Sequence, residues 1–232
     1  MNTMNILALD TSAAAASVAI MREERLICEV YLNRGLTHSQ VLMKLVDDAL
    51  DAAGLHIKEI GAIACSVGPG SFTGVRIGVA AARGLSTALG VGAVGVNTLD
   101  ALAYNAAGLG RRICSLMDAK REQVYCAVYE NDDFLQPVVG YAALGLEQAV
   151  ARGGAAVYVG DAAHAYRGRI LDWQPGACFL PEGHNLQRSC AVAALASEKL
   201  ARGGGGGAND LTPFYLRRPQ AERERLAREE KA

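Results

Sequence analysis

Two short polar segments of the sequence combine residue types that can bind a charged group. The first, Asp10, Thr11 and Ser12, stands where the apolar run from Asn5 ends, so a carboxylate and two hydroxyls follow a predicted strand. Such a turn can offer oxygen ligands to a metal ion, or hydroxyl and backbone N–H groups to a phosphate. Asp, Thr and Ser are also ordinary turn residues, and the tripeptide alone leaves both interpretations open.

The second segment is a glycine-rich loop between a predicted strand, Ala62 to Val67, and a predicted helix, Thr73 to Leu89. Its glycines and proline fix a backbone path that few other residues follow, and Thr73 is predicted to cap a helix whose N–H groups can receive an anion. The Lys-Ser/Thr ending of a Walker A loop is absent, and no GxGxxG follows the first strand. A turn without ligand is the alternative. The candidate phosphate loop formed by both segments comprises Asp10, Thr11, Ser12, Gly68, Pro69, Gly70, Ser71, Phe72 and Thr73.

Small residues recur on the helix that follows this loop. Gly74, Gly78 and Ala82 stand four residues apart, with Ala81 beside them. Residues at this spacing share one helix face, and their small size lets another backbone approach closely. Either a neighbouring helix of the same domain or a protein partner would explain the stripe.

No other set of residues points to catalysis. His38 opens a predicted helix without a second histidine at ligand spacing, and the sequence holds no HxxxH, HExxH or GxSxG motif. The six cysteines are scattered without a CxxC pair, which predicts reduced and mostly buried thiols. We therefore predict no catalytic residue and no metal site.

The predicted elements follow a regular order that positions these segments. Three strands open the chain, an amphipathic helix with apolar residues from Val41 to Ala53 follows, and strands then alternate with helices as far as Ala107. A second α/β unit begins near Arg111 and ends with a helix, Cys190 to Ala201. This succession indicates mixed sheets covered by helices. Gly203 to Gly207 is predicted to be a flexible linker, and Pro213 to Leu216 a last extended piece.

Composition excludes several classes of protein. The chain has 232 residues, 51% of them hydrophobic, and its 23 basic and 24 acidic side chains give a net charge of −1. It is apolar enough to build a core, and it has no global positive field that would draw it onto nucleic acid. Its uncharged stretches are shorter than the roughly 20 residues that span a bilayer, and no secretory signal is visible. We expect a cytoplasmic protein with no membrane contact.

Seven motifs distributed along the chain resemble the TsaB (YeaZ) family of bacterial tRNA threonylcarbamoyladenosine biosynthesis proteins. They are ILALDTS from Ile6, HSQVLMKLVDDAL from His38, GPGSFTGVRIGVAAARGL from Gly68, VNTLDALA from Val96, DAKREQVYCAVY from Asp118, VGDAAHAY from Val159 and PFYLR from Pro213. The resemblance implies an α/β, two-lobed fold of the actin, Hsp70 and sugar-kinase (ASKHA) type with a shortened, degenerate second lobe. The expected divisions are a first lobe over 1–108, a second over 109–216 and a charged tail over 217–232.

The resemblance also implies a noncatalytic role in the synthesis of N6-threonylcarbamoyladenosine (t6A) in tRNA. Members of the family are paralogues of the transferase subunit TsaD, and Thr98 and Leu102 stand where TsaD has its metal-binding histidines. The family binds TsaD as a heterodimer and, with it, receives the ATPase TsaE; a homodimer forms on the same faces without TsaD. It needs no cofactor of its own, since ATP acts at TsaE and TsaD, and it meets tRNA only through the complex.

The surfaces implied for TsaD are those of the two long first-lobe helices. Bulky substitution of Gly78 or Ala82 should then weaken TsaD binding and leave the fold intact. The expected interface residues are His38, Leu42, Leu45, Val46, Gly74, Arg76, Ile77, Gly78, Ala81 and Ala82. The alternative function is a small ATP-binding kinase or phosphatase of the same fold that holds a phosphate on the candidate loop.

Overall fold

The first sheet of the computed structural model places both candidate segments at one edge. The structure describes residues 4–131 and 135–217. The strand order is β3-β2-β1-β4-β5, with β1, β2 and β3 antiparallel and with β4 and β5 parallel to β1. The strands are β1 (Asn5–Asp10), β2 (Ala16–Arg22), β3 (Arg25–Leu32), β4 (Ile60–Gly68) and β5 (Gly92–Asn97). The ends of the parallel strands β1 and β4 meet at one edge, and this brings the Asp10 turn next to the glycine-rich loop.

Helices cover both faces of this sheet because its buried residues alternate. Leu7 and Leu9 face α1 (His38–Ala53) and α2 (Phe72–Leu89), whereas Ile6 and Ala8 face α7 (Ser189–Ala201). The chain thus returns to the first sheet with α7, which lies within the range predicted for the second lobe. A short helix, α3 (Thr98–Tyr104), follows β5 and packs against the second sheet.

The second sheet repeats the arrangement of the first in fewer residues. Its order is β8-β7-β6-β9-β10, again with three antiparallel strands followed by two parallel ones. The strands are β6 (Ile113–Asp118), β7 (Gln123–Asn131), β8 (Leu135–Gly145), β9 (Val157–Val159) and β10 (Cys178–Phe179). The helices on it are α4 (Leu146–Gly153), α5 (Asp161–Ala165) and α6 (Arg167–Trp173). Two sheets of equal order confirm the predicted ASKHA fold, and the short β9 and β10 show where the second lobe is reduced.

Three local predictions are wrong. No strand is predicted over β8, whose apolar and polar residues do not alternate cleanly and which contains Pro137. The glycine run is not free of the fold, because Gly206 exchanges both backbone hydrogen bonds with Ala93 at 2.8 and 3.0 Å. Ser71 caps α2 in place of Thr73. Three short 3-10 helices complete the secondary structure, at Ile57–Glu59, Glu182–His184 and Ala208–Asp210.

The remaining predictions concern cysteines, membrane segments and the tail. All six cysteines are unpaired, and three of them are fully buried. Within the described ranges, no helix is long and apolar enough to cross a membrane. The predicted tail lies outside the described residues except for Arg217.

Candidate functional site

The carboxylate of Asp10 is hydrogen-bonded to other residues of its own chain. Its Oδ1 accepts hydrogen bonds from the Ser12 backbone N–H at 2.8 Å and from Ser12 Oγ at 2.7 Å, and its Oδ2 accepts one from Ser66 Oγ. Asp10 is 1% exposed, and burial raises the pKa of its carboxyl, against the opposing effect of these hydrogen bonds. The carboxylate is thus buried and hydrogen-bonded within the chain and is not presented to a metal ion or a phosphoryl group. Ser66 is not predicted from the sequence, because no local pattern sets it apart from the other residues of β4.

The glycine-rich loop folds directly onto the Asp10 turn. The Ser71 N–H donates to the Ser12 carbonyl at 2.7 Å. A Cβ at Gly70 would stand 2.2 Å from the Ser12 oxygen, and one at Gly74 would stand 2.1 Å from the Thr11 oxygen. Glycine is required at both positions because one backbone lies against the other. The candidate residues do come together, but they bind each other.

The backbone N–H groups at the N-terminus of α2 find some of their hydrogen-bond partners within the loop itself. Ser71 Oγ accepts from the Gly74 N–H at 3.2 Å, and the Ser71 carbonyl accepts from the Val75 N–H at 2.8 Å. Ser71 replaces Thr73 as the cap because the helix begins one residue earlier than predicted. Thr73 is exposed on the first turn. Fewer free N–H groups remain for an anion than the sequence pattern indicates.

The small-residue stripe of α2 faces inward, which corrects the predicted interface. A Cβ at Gly78 would stand 2.5 Å from Thr11 Oγ1, and that hydroxyl donates to the Gly74 carbonyl at 2.8 Å. Ala82 lies in the core between α2 and the sheet. The stripe packs within the chain, but mainly against the Asp10 turn and the sheet rather than against the neighbouring helix that the sequence suggests. Bulky residues at Gly78 or Ala82 would therefore disturb the fold itself.

The other predicted interface residues divide between core and surface. Leu42, Leu45 and Val46 belong to the core under α1, because the apolar face of that helix packs on the sheet. His38 is half-buried, and its Nε2 lies 2.7 Å from the Ala13 carbonyl, so the ring ties α1 to the Asp10 turn. Arg76 is exposed, and Ile77 and Ala81 are half-buried. Four of the ten predicted residues thus keep some surface in this structure, namely His38, Arg76, Ile77 and Ala81.

A cleft of about 440 Å³ separates the two lobes above these loops. The first lobe contributes Ser12, Ser71 and Phe72, and the second contributes three charged residues, Asp118, Lys120 and Asp161. Lys120 Nζ lies 2.7 Å from Asp118 Oδ2, and Asp161 Oδ1 accepts from the Asp118 and Ala162 N–H groups. Burial raises the pKa of the Asp161 carboxyl. Asp118 and Lys120, which belong to the DAKREQVY motif, are not predicted as site residues. For Asp161 in VGDAA, the sequence leaves the cleft and an ordinary loop as alternatives, and the structure places it at the cleft.

The positions that correspond to the TsaD histidines lie in the core. Thr98 and Leu102 are fully buried on α3. Among residues 4–131 and 135–217, no group of three or more His, Cys, Asp or Glu side chains could hold a metal ion. The arrangement gives the cleft a polar lining, but the first-lobe carboxylate, that of Asp10, is buried and does not line it.

Known proteins match the chain along most of its length. Residues 34–174 match the family model for TsaD, tRNA N6-adenosine threonylcarbamoyltransferase. The tRNA threonylcarbamoyladenosine biosynthesis protein TsaB of Bacillus subtilis is 31% identical over 94% of this chain and 96% of its own length. The Escherichia coli protein of the same name is 36% identical over 56% of this chain and 57% of its own length.

Solved structures show the same relationship. YeaZ from Pseudomonas aeruginosa is 30% identical, covers 92% of this chain and all of its own, and superposes with a TM-score of 0.78. Component A of (R)-2-hydroxyglutaryl-CoA dehydratase from Acidaminococcus fermentans is 10% identical with a TM-score of 0.52 over 86% of this chain and all of its own, which shows a shared fold alone. From sequence and structure together, the chain belongs to the TsaB (YeaZ) family of tRNA threonylcarbamoyladenosine biosynthesis proteins.

Proposed function

We propose that this chain is a noncatalytic subunit of the t6A synthesis complex that binds TsaD and, with it, receives TsaE. The observation that carries the proposal is the occupied carboxylate of Asp10. A phosphoryl-transfer enzyme must direct such a group and free N–H donors at the nucleotide. Here Ser12 and Ser66 bind both carboxylate oxygens, and the Ser71 N–H is bound by Ser12.

The outward faces of α1 and α2 support TsaD as the partner. Ala80, Gly84 and Ala88 are exposed at four-residue spacing on α2, on the side opposite the buried stripe. No atom lies within 4 Å of a Cβ built at Gly84, so an incoming helix could approach closely there. Met43, which is 47% exposed on α1, adds apolar surface. In the absence of TsaD, a second copy of the chain would use the same faces.

Co-purification and a modification assay test this proposal. Tagged chain should retain TsaD, the pair should retain TsaE in the presence of ATP, and threonylcarbamoylation of tRNA by TsaD and TsaE should require the chain. Modification at the same rate without the chain would contradict the proposal.

A matched pair of glycine substitutions places the contact on α2. Gly84→Leu should weaken TsaD binding without lowering the free energy of unfolding, because the site is open to solvent and leucine favours a helix more than glycine does. Gly168→Leu, at an equally open glycine of α6, is the control and should bind TsaD normally. Equal binding by both variants would exclude this face of α2.

Calorimetry with ATP and Mg²⁺ tests the alternative of a kinase or phosphatase. We expect the isolated chain to bind ATP weakly or not at all and to hydrolyse none. Tight binding with turnover would favour the enzyme. We further propose that the complex meets tRNA through its other subunits, since the chain has a net charge of −1.

A further inference from the structure

Arg76 is held in a fixed orientation at the exposed N-terminal end of α2. The carbon at the centre of its guanidinium lies 3.8 Å from the centroid of the Phe72 ring and 5.9 Å from that of Tyr215. Its Nε donates a hydrogen bond to Tyr215 Oη at 2.9 Å. The two rings are 5.3 Å apart, and both are more than a third exposed. A side chain that is normally mobile has thus lost much of its rotational freedom before any partner arrives.

The C-terminal segment of the described chain builds this arrangement. The Phe214 N–H donates to the Val67 carbonyl at 2.7 Å, and the Phe214 ring meets Tyr141 of β8 edge-on at 5.7 Å. Leu211 is buried in the first-lobe core. We call residues 211–217 the C-terminal strap. After Tyr215, Arg217 Nη1 donates to the Ala119 carbonyl at 2.8 Å. Because the strap is anchored on both sides of Tyr215, the tyrosine is a fixed support for Arg76.

The charge of Arg76 is not neutralised within the described part of the chain. No carboxylate there lies within 4.0 Å of the guanidinium, and the two terminal nitrogens have no hydrogen-bond partner among the described residues. A planar fork of donors that faces solvent matches the two oxygens of a carboxylate. Buried Arg and Tyr residues are the ones that most often dominate the energy of a protein interface.

We propose that Arg76 binds a carboxylate side chain of the TsaD subunit, and that Tyr215 is the positioning residue that orients its guanidinium. The inference rests on the function proposed above and adds the chemistry that the partner must supply. A carboxylate fits better than the phosphates of RNA. On the neighbouring α1, Lys44 is paired with Asp48, and the further exposed acidic residues Asp47 and Asp51 would repel a polyanion.

Affinity measurements with purified TsaD, in the absence of RNA, test the proposal. Arg76→Ala should raise the Kd by roughly 30-fold, as expected for an interface arginine that pairs with a carboxylate. Arg76→Lys keeps the charge but loses the fork, and it should also weaken binding. The matched control is Arg167→Ala, which removes an exposed arginine stacked at 4.8 Å on Phe179 of the second lobe and should leave the Kd unchanged.

Tyr215→Phe separates positioning from direct contact. It keeps the ring and removes the hydroxyl that holds Nε, so it should raise the Kd by about 5-fold. In the Arg76→Ala background the same change should have no further effect, because Tyr215 acts through Arg76. Additive effects of the two changes would contradict the positioning role.

The possible failures are distinguishable. If the wild-type chain does not bind TsaD, the proposed function itself is wrong. If it binds and folded Arg76→Ala binds equally well, only the present inference is overturned. Loss of tRNA affinity by the assembled complex with unchanged TsaD affinity would assign Arg76 to RNA and would also overturn it.

Discussion

At the scale of single residues, the site is defined by polar groups that bind one another. Asp10 accepts three hydrogen bonds from Ser12 and Ser66 while it is almost completely buried. Desolvation disfavours the ionised carboxylate, and the three donors favour it. Because the burial effect is the larger one, the pKa of the Asp10 carboxyl is raised. The residue that looks most catalytic in the sequence is a structural group whose charge costs stability.

The pH dependence of stability tests this balance with D10N. A raised folded-state pKa means that the neutral carboxyl is the stabilising form. Its contribution is complete below the unfolded pKa of about 3.9 and is lost as the pH rises through the folded value. The amide of D10N does not titrate. The free energy of unfolding of the wild type, measured relative to D10N by urea titration, should therefore fall as the pH rises from about 4. A difference that grows with pH would show that the three donors outweigh burial.

Alanine substitutions at two glycines of α2 distinguish the inward face of the helix from its outward face. Gly78→Ala should lower the free energy of unfolding by about 1–3 kcal/mol, because its Cβ would stand 2.5 Å from Thr11 Oγ1. Gly84→Ala meets no atom within 4 Å and should raise it by about 0.5–1 kcal/mol through helix propensity. Denaturant unfolding measures both. If Gly78→Ala were as stable as the wild type, the inward assignment of the stripe would fail.

At the scale of elements, the sequence predicts burial best where a periodic pattern of residues has a single structural explanation. The apolar spacing of α1 predicts which of its residues are buried. Leu42, Leu45 and Val46 are nevertheless expected at the partner interface from the family resemblance, and they lie in the core. The stripe of α2 is ambiguous because glycines fit either a partner or the chain's own turn, and only the position of Thr11 decides between them. β8 has no clean alternation and contains Pro137, so no local pattern identifies it, although it pairs with the strand directly before it, with Asn131 opposite Leu135.

The N-terminus of α7 depends on one acidic residue from a distant strand. Glu29 of β3 accepts hydrogen bonds from the Cys190 N–H at 3.0 Å and from Arg188 Nε at 2.9 Å, and its side chain is 4% exposed. A buried carboxylate at this position caps the helix, and its negative charge interacts favourably with the positive end of the helix dipole. It also pairs with Arg188. This contact joins α7 to the first sheet, between residues that stand 161 positions apart in the sequence.

Substitution of Glu29 should destabilise the protein strongly. E29Q removes the charge and leaves Arg188 unpaired, so we expect a loss of about 3 kcal/mol. This is the lower end of the range for a buried pair, because Arg188 is one-third exposed. E198Q removes the exposed partner of Arg202, 3.7 Å away, and should cost less than about 1 kcal/mol. Equal losses in denaturant unfolding would show that burial of Glu29 is irrelevant.

At the scale of the whole molecule, the two lobes have sheets of equal strand order. Segments that belong to one lobe make contacts with the other and so join them. Asp100 on α3 accepts hydrogen bonds from Tyr129 and Tyr141 of the second sheet at 2.8 and 2.9 Å. The C-terminal strap also reaches the second lobe, where Arg217 Nη1 donates to the Ala119 carbonyl at 2.8 Å. The sequence predicts the repeated order through its motifs. It also predicts Pro213 to Leu216 as a last extended piece, and the Phe214 N–H does bond the Val67 carbonyl of the first lobe. It does not predict where this piece docks, because a glycine run followed by PFYLR has no amphipathic period.

The strap is therefore expected to act as part of the core and not as an appended tail. Leu211 is 2% exposed and packs among residues of the first-lobe core, next to Val67 and Gly95. Leu211→Ala should lower the free energy of unfolding by about 2–5 kcal/mol, the usual cost of a cavity at a buried leucine. Leu109→Ala, at a leucine that is more than half exposed, should change it by less than about 0.5 kcal/mol. If both variants unfold at the same denaturant concentration as the wild type, the strap is dispensable for stability. In that case the fixed orientation of Tyr215 against Arg76 would need another support.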